Sequence, residues 1–527
     1  MRRSPTWFLF LLCLPLLAAL GCAPCGPADA CRVPTAAAPP PPPPAPSAGP
    51  FNLTVFHVND THAAFTAEPA SWRDDGASVG GVVALQEHLT AERAAAAASI
   101  TLDAGDFMTG HPICEIDVDG VKGGGLVDML NRLGIDAGVI GNHEFDLGRA
   151  NARALAARFT HPVMALDLRN ESGGLEYPVE PVVLHRGGLD VGVLGVTCAG
   201  LMDVCADSRV EGLVLEDQET VARRWIRELD PRTDLLVLIT HNGVQDDTTL
   251  ARKLVGSGLD VIVGGHSHTR LEEPLLIGDV LVVQAGSRMT NLGRLDLRVE
   301  HDRVTGYAGR LLETVAGRGA ADPELQALVT RYDDAVDAEF GQVIGELVQP
   351  WHRRGGGESN VGDWICDRML EAAGADVALL NSGTLRRNFQ AGPLTRLDIH
   401  QLLPFGNLLE TFQVDGRGLE RICLANARNA VEDRHGILQV GGLRYAYAVN
   451  GGEVELREVT VGGQPLDPDR VYTVACPDYV AMKARLYMDM DKPVTRSAGV
   501  TVTDAIIHAV EASGPIAATI DGRIAQR

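Results

Sequence analysis

Five short apolar runs in this chain each end in a cluster of Asp, Asn or His side chains, and this pattern restricts the possible fold most strongly. Runs of this length that are rich in Leu and β-branched residues are typical of strands buried on both faces. In layered α/β proteins, ligands gather at the carboxyl ends of such strands. The five runs are residues 53–58, 100–102, 137–140, 235–239 and 261–263. We therefore expect the polar clusters to lie together at one edge of a sheet system.

These polar clusters supply ligands for two divalent metal ions. Zinc, manganese and iron accept imidazole as well as oxygen ligands, so a mixed Asp, Asn and His set suits a catalytic centre with open positions. Asp106 is the predicted bridge between the two ions. The remaining ligands are Asp60, His62 and His268 at one ion and Asn142, His241 and His266 at the other. The expected cofactors are two ions of zinc, manganese, cobalt or iron.

Such a pair of ions predicts phosphoester hydrolysis by attack of a metal-activated water. Ions about 3.5–4 Å apart hold a phosphoryl group and lower the pKa of a bound water toward about 7. His143 directly follows Asn142, and a helical turn would bring Asp146 beside it. A carboxylate that keeps a histidine protonated suits charge stabilisation or leaving-group protonation. We predict His143 and Asp146 as a catalytic pair next to the metal ligands.

Each motif alone is a weak indication, because an isolated Asp-X-His turn is usually structural and an Asn-His-Glu segment can cap a helix. The five motifs coincide at predicted strand ends, and this coincidence favours a metal site. The remaining histidines considered lack that context and are interpreted as surface or packing residues: His57, His88, His111, His161, His185 and His301.

The chain of 527 residues is too long for a single hydrophobic core. Strand-like and helical stretches alternate over residues 51–312, which predicts a layered α/β domain. Residues 313–342 contain one amphipathic linking helix, expected from Asp322 to Phe340. A second domain is expected over residues 343–527.

The amino terminus has the pattern of an export signal over residues 1–21, with two arginines followed by an apolar stretch. Cys22 after Gly21 resembles a lipoprotein-type processing site, although Leu20 is bulky for its position, so ordinary cleavage nearby is the alternative. Residues 22–50 form a Pro/Ala-rich spacer. We expect an exported protein, periplasmic or at the cell surface, with a lipid anchor at Cys22.

The formal charge of −23 argues against partners with dense negative charge. We therefore expect no nucleic-acid partner, and membrane association only through the N-terminal lipid anchor. In an oxidising compartment, Cys198 and Cys205 are the best local candidates for a disulfide, and Cys25 with Cys31 is a weaker pair. Four further cysteines are predicted to be small buried hydrophobic residues: Cys114, Cys366, Cys423 and Cys476.

The five polar segments resemble the signature of calcineurin-like metallophosphoesterases, and their form is similar to that of the 5′-nucleotidase family. The segments are residues 59–62, 103–106, 141–146, 240–242 and 265–268. The resemblance continues in residues 358–367, 380–386, 403–407 and 438–443. It implies a four-layer αββα catalytic domain, a linking helix, and an α+β carboxyl-terminal domain that supplies the substrate pocket and rotates against the first.

The same resemblance implies residues for substrate binding. Asn381 and Arg386 would contact the substrate, Arg354 would be a further arginine, and Phe405 with Tyr479 would sandwich a nucleobase. The family usually continues after the second aromatic residue with a Gly-Gly-Asp-Gly turn whose Asp binds ribose hydroxyls. Here residues 481–486 contain no Gly and place an arginine, residue 485, near the Asp position.

These observations together favour an exported dimetal phosphohydrolase that removes phosphate from nucleotides. UDP-sugars, cyclic nucleotides or a non-nucleotide phosphoester are alternative substrates for the same site, and the altered ribose motif favours the last of these. The third alternative is a non-catalytic surface-binding protein that keeps a hydrolase fold but has lost the activity. The complete ligand set argues against it.

Overall fold

The computed structural model describes residues 51–70, 72–432 and 436–527. The predicted export signal, the spacer, the Cys25–Cys31 pair and the lipid acceptor Cys22 lie outside the described residues. Within the described part of the chain, no helix combines the length and the apolar character needed to cross a membrane.

Two six-stranded sheets form the centre of the first part of the chain. The first has the spatial order Val304–Glu313, Asn291–Val299, Leu53–Val58, Ser99–Asp103, Ala137–Val139 and Val163–Met164. The second has the order Val182–Arg186, Leu189–Gly195, Leu235–Ile239, Val261–Val263, Val280–Val283 and Leu275–Ile277. The predicted metal-site strands are parallel neighbours, as in the pairing of Thr54 with Ser99 and of Val237 with Val261. Their carboxyl ends therefore meet at shared edges.

The two sheets pack face to face, and helices cover both outer faces. Val55 and Val237 belong to the core between the sheets, whereas Phe56, one residue along the same strand, packs among the helices outside the first sheet. This alternation follows from the two-residue period of strands. The outer layers are formed by Val82–Ala95, Gly124–Leu130 and Pro323–Phe340 on the first sheet and by Gln218–Leu229 and Val244–Leu254 on the second. The predicted four-layer αββα architecture is confirmed.

The predicted linking helix spans Pro323–Phe340. The Asp322 carboxylate caps it by accepting from the Glu324 amide at 2.9 Å, and Pro323 occupies the first helical position, where no amide is needed. Leu325, Val329 and other apolar side chains of one face pack on the first sheet's helical layer. The helix thus belongs structurally to the outer layer of the first part.

The later part of the chain, from Val343 onward, is α+β, and the elements before it form the first part. A five-stranded sheet has the order Leu438–Gly441, Val377–Asn381, Val471–Pro477, Leu408–Asp415 and Arg496–Thr501, and a four-stranded sheet the order Gln464–Pro465, Glu453–Val461, Leu443–Asn450 and Ile524–Gln526. One face of the larger sheet packs on helices Asn360–Ala373, Arg396–Leu402 and Val502–Ala512. The other face packs on Gly416–Glu432, Asp478–Met482, Ala484–Met488 and the smaller sheet. The boundaries at residues 312 and 342 stay predictions, because the described residues all belong to one compact unit.

Short elements connect these layers. The remaining helices are Arg149–Arg158 and Leu201–Val204, and the 3₁₀ turns are Pro112–Cys114, Asn131–Leu133, His143–Phe145, Asp207–Arg209, Asp230–Arg232 and Ser382–Thr384. The two-stranded ribbons pair Glu68–Pro69 with Ser78–Val79, Asp117–Val118 with Val121–Lys122, Leu168–Arg169 with Val214–Leu215, and Val343–Leu347 with Gly392–Thr395.

The predicted Cys198–Cys205 disulfide is wrong. Both residues are buried free thiols, and the Cys205 thiol donates to the Asn142 carbonyl oxygen at 3.5 Å. The two side chains pack into an apolar cluster behind the site and serve there as small hydrophobic residues. The four cysteines predicted to be buried hydrophobic residues are buried and free.

Candidate metal and substrate site

The polar segments after the five strands meet at the carboxyl edge of the two sheets. Five of the predicted ligands there have left-handed backbones, with φ between 46° and 76°: Asp60, His62, Asp106, His266 and His268. Non-glycine residues rarely adopt this conformation, and such strain collects at functional sites. The loops are therefore shaped for the orientation of these side chains.

The predicted ligands form two adjacent clusters: Asp60, His62 and His268, and Asp106, His241 and His266. Within each cluster, one side-chain ligand atom per residue lies within 4.8 Å of the others. The Nε2 atoms of His62 and His268 are 2.9 Å apart, and the Nε2 atom of His241 is 2.9 Å from an Asp106 carboxylate oxygen. Asn142 joins the second cluster, because its side-chain oxygen lies 2.9 Å from His266 Nδ1.

Histidine orientation in both clusters suits metal binding. His62 Nδ1 donates to the carbonyl oxygens of Met108 and Thr109, and His241 Nδ1 donates to that of Ala104 at 2.6 Å. Such bonds to the far ring nitrogen leave the Nε2 lone pair directed into the cluster. His241 Nε2 is buried and, although it lies 2.9 Å from an Asp106 carboxylate oxygen, it makes no well-oriented hydrogen bond among the described residues. An orphaned acceptor in this position fits a cation.

The electrostatics of the second cluster also favour positive charge. Burial alone would lower the pKa of His241, but the carboxylates of Asp106 and Asp60 raise it to about 10. A position that stabilises an imidazolium so strongly also stabilises a bound divalent ion, which delivers positive charge without a proton. The donor set and its charge therefore fit the predicted pair of ions.

Asp106 lies where a bridging ligand would be needed. One carboxylate oxygen accepts from the His143 amide at 2.9 Å, and the other faces His241. The Asp60 carboxylate lies 3.8 Å from the same His241 nitrogen, so the two clusters share a border. The bridging role of Asp106 stays a prediction.

Glu144 supports this border from behind, and the sequence analysis did not assign it a role. Its buried carboxylate accepts from the amides of Asp106, Phe107, Met108 and Gly141 at 2.7–3.2 Å. It thereby ties the loop that carries Asp106 to the loop that carries Asn142. Glu144 is visible in the sequence as part of the Asn-His-Glu segment. Three of the four amides that donate to it lie in a different loop, which the segment alone does not identify.

His143 and Asp146 come together as the sequence predicts. The 3₁₀ turn His143–Phe145 places them three residues apart on one side, and His143 Nδ1 donates to the Asp146 carboxylate at 2.7 Å. Thr109 donates to the same oxygen at 2.7 Å. Burial lowers the pKa of His143, but Asp146 and Asp106 outweigh it and the net pKa is raised. The ring lies beside the clusters, with Nε2 4.0 Å from Asp106.

A cavity of about 390 Å³ opens beside the clusters, and both parts of the chain line it. Its walls include Asn142, His143, Asp146 and His266 from the first part and Asn381, Arg386, Phe405 and Tyr479 from the later part. The Phe405 ring lies 5.6 Å from that of His143 at an interplanar angle of 28°, and the Arg386 guanidinium lies 5.3 Å from the Phe405 ring centre. Four of the five predicted substrate residues are thus within one space.

Arg354, the fifth, is exposed and does not line this cavity. Burial lowers the pKa of Arg386 most, and the positive charge of Arg353, the neighbour of Arg354, lowers it further. Arg485 is also outside: its side chain is 77% exposed and pairs with Asp491. Sequence reasoning missed Arg209 and Asp478, which line the cavity from opposite parts of the chain. Their positions depend on the contact between those parts, for which no short motif exists.

The fold and this site define a class, the metal-dependent phosphoester hydrolases. Residues 53–270 match the family model for calcineurin-like phosphoesterases, and residues 343–491 match the model for the 5′-nucleotidase carboxyl-terminal domain. The chain therefore combines a calcineurin-like phosphoesterase domain with a 5′-nucleotidase carboxyl-terminal domain, as its resemblance to the 5′-nucleotidase family implied.

Individual relatives agree with this assignment. Protein UshA of Yersinia enterocolitica is 24% identical over 89% of this chain and 92% of its own length. The trifunctional nucleotide phosphoesterase protein YfkN of Bacillus subtilis is 25% identical over 82% of this chain, which spans about a third (32%) of YfkN. Among solved structures, a 5′-nucleotidase precursor from Thermus thermophilus superposes with a TM-score of 0.77, at 27% identity, over 90% of this chain and 99% of that one.

Proposed function

We propose that this protein removes phosphate from nucleotides outside the cytoplasm, using two divalent ions. The observation that carries the proposal is one cavity whose walls include Asn142 and His266 of the second cluster together with Arg386 and the aromatic residues Phe405 and Tyr479. A phosphoryl group fits the cationic end, and a planar base fits the aromatic end. The names of YfkN, a trifunctional nucleotide phosphoesterase protein, and of the Thermus 5′-nucleotidase precursor support a nucleotide substrate.

Different residues of the chain would bind the metal ions and the phosphoryl group. The predicted ligands would hold the ions at Asp60, His62 and His268 and at Asn142, His241 and His266, with Asp106 between them. When bound, such ions stabilise phosphoryl oxygens and activate water. Asn381 and Arg386 would bind the phosphoryl oxygens, since a guanidinium presents a planar pair of donors.

His143 and Asp146 would act on charge and protons. Asp146 holds the imidazole by its Nδ1 atom, so the Nε2 atom is free to meet a phosphoryl or leaving-group oxygen. The stacked Phe405 ring fixes the plane of His143 from the other part of the chain. The geometry therefore supports leaving-group protonation from a fixed direction.

The base would be bound by aromatic stacking, which does not distinguish one base from another. Tyr479 is held by an edge contact to Tyr487, with ring centres 6.1 Å apart. Aromatic stacking tolerates every base and contributes about 1–3 kcal/mol for each base in comparable sites. We further propose that residues 343–527 form the substrate-binding domain, and that residues 1–21 direct export, with lipid attachment at Cys22.

A hydrolysis panel tests this function. Metal-stripped protein would receive manganese, cobalt, zinc or calcium and then AMP, ADP, ATP, a UDP-sugar, a cyclic nucleotide or bis-p-nitrophenyl phosphate. We expect nucleotide hydrolysis with the transition metals and little with calcium, because imidazole ligands disfavour calcium. Asp106→Asn protein, purified in parallel, controls for contaminating hydrolases. Hydrolysis of bis-p-nitrophenyl phosphate without any nucleotide turnover would contradict the proposal.

A further inference from the structure

An ion-pair cluster joins the two parts of the chain next to the cavity but outside it. Glu68, on the ribbon strand Glu68–Pro69, places one carboxylate oxygen 3.1 Å from Arg288 and the other 2.9 Å from Arg387. Arg288 belongs to the first part and Arg387 to the later part. The carboxylate is therefore shared between two cations that come from the two parts of the chain.

Each arginine is connected to a different element of the site. The Arg288 amide donates to the Asp60 carbonyl oxygen at 2.8 Å, so this residue backs a predicted metal ligand. Arg387 directly follows Arg386, whose amide donates to the Leu402 carbonyl oxygen at 3.0 Å. The Arg387 guanidinium also donates to the buried side chain of Gln401. Glu68 thus links the metal loop to the segment that presents Arg386.

Like charges around this segment make the carboxylate necessary. Burial lowers the pKa of Arg386, and the charges of Arg353 and Arg288 lower it further. Burial also lowers the pKa of Arg387, and Glu68 opposes that effect while Arg288 adds to it. Without Glu68, the two arginines that it joins would repel each other across the contact between the parts.

We propose that Glu68 is a positioning residue that holds the two parts together through Arg288 and Arg387 and so keeps Arg386 directed into the cavity. The inference rests on the proposed role of Arg386 in binding phosphoryl oxygens. Glu68 touches no substrate in this arrangement, and its effect is on the placement of Arg386. Substrate affinity should therefore depend on it more than the chemical step does.

Steady-state kinetics of Glu68→Gln, Arg387→Gln and the double variant test the inference. We expect KM to rise about three- to tenfold in each single variant while kcat changes less than about twofold. The double variant should be no worse than either single variant, because both remove the same contact. Glu68→Asp, which keeps the charge on a shorter side chain, should recover part of the loss.

Glu511→Gln is the matched control. Glu511 pairs with Arg396, and these side chains are 37% and 35% exposed, close to the 37% and 29% of Glu68 and Arg387. That pair lies within the later part of the chain, so its loss should leave KM unchanged. Unchanged KM in Glu68→Gln, or additive effects in the double variant, would overturn the inference. Loss of bound metal with a fall in kcat would also overturn it, since Glu68 would then act through Asp60.

Solution scattering of the metal-loaded proteins provides a readout that does not depend on the substrate. We expect a larger radius of gyration for Glu68→Gln than for wild type and for Glu511→Gln. If no nucleotide is hydrolysed by wild type, the proposed function fails, and scattering alone still decides whether Glu68 joins the two parts. Identical scattering for all three proteins would refute the contact.

Discussion

Replacing Asp363 by Asn should stabilise the protein at alkaline pH. Asp363 lies in the first turn of helix Asn360–Ala373, and its side chain is only 3% exposed. Burial and the neighbouring Glu358 carboxylate raise the pKa of Asp363 to about 8. Asn keeps the size of the side chain and an N–H donor toward Glu358 but cannot ionise. The substitution therefore removes a charge that the folded state disfavours.

The sign and size follow from the two protonation equilibria. Below about pH 4, Asp363 is protonated in both the folded and unfolded chain, so it has no effect on stability. Between about pH 4 and pH 8 the unfolded chain loses the proton while the folded chain keeps it, and stability falls as pH rises. An increase from the ordinary value to about 8 sets an upper bound of about 6 kcal/mol. Relaxation around the site reduces the effect, and we take about 2 kcal/mol as the minimum stabilisation by Asp363→Asn at pH 8.

Thermal unfolding followed by circular dichroism at pH 5 and pH 8 measures this difference. We expect Asp363→Asn to raise Tm by at least about 2 °C at pH 8 and by much less at pH 5. Asp367→Asn is the control, because Asp367 accepts from Arg523 at 2.7 and 2.8 Å and its loss should destabilise the protein at both pH values. An equal Tm change for Asp363→Asn at both pH values, or a decrease at pH 8, would refute the reasoning.

Four further predictions concern catalysis, the substrate and export. His143→Ala should lower kcat about 10²–10⁴-fold with unchanged metal content, and loss of a metal equivalent on elemental analysis would make His143 a ligand instead. AMP and dAMP should have kcat/KM values within about tenfold, or about 1.4 kcal/mol, because the position near which the family's ribose-binding Asp is expected holds Arg485, which is exposed and outside the cavity. Phe405→Ala and Tyr479→Ala should each raise KM for both substrates about 5- to 100-fold, and no effect of either change would remove the base sandwich. Cys22→Ser should move the protein out of the membrane fraction, and unchanged fractionation would indicate ordinary signal cleavage.

The strands and the helical layers could be predicted from the sequence because local patterns determine them. Leu235–Ile239 and Val261–Val263 have the predicted bounds, since continuous apolar runs between polar segments mark both ends of a doubly buried strand. The polar clusters could be predicted for the same reason. Parallel neighbouring strands bring their carboxyl ends together whatever the loops contain.

Features that depend on contacts between residues far apart in the sequence were harder to predict from it. Phe405 packs on His143 across 262 residues of sequence, and Glu144 accepts amides from a loop some 36 residues earlier. Neither contact has a periodic signature. The disulfide prediction failed because spacing alone does not orient two thiols, and the apolar cluster and the Asn142 carbonyl determine how Cys205 is turned.

The metal content of the purified protein, measured together with its turnover, tests the central claim most directly. Elemental analysis of wild type and Asp106→Asn would be combined with phosphoester hydrolysis in saturating manganese, cobalt or zinc. We predict two divalent ions per wild-type chain, and loss of at least one ion with less than about a tenth of wild-type turnover in Asp106→Asn, with the fold retained by circular dichroism. Full turnover by a wild-type chain that binds fewer than two ions, or more than about a tenth of wild-type turnover in Asp106→Asn, would contradict a dimetal site bridged by Asp106.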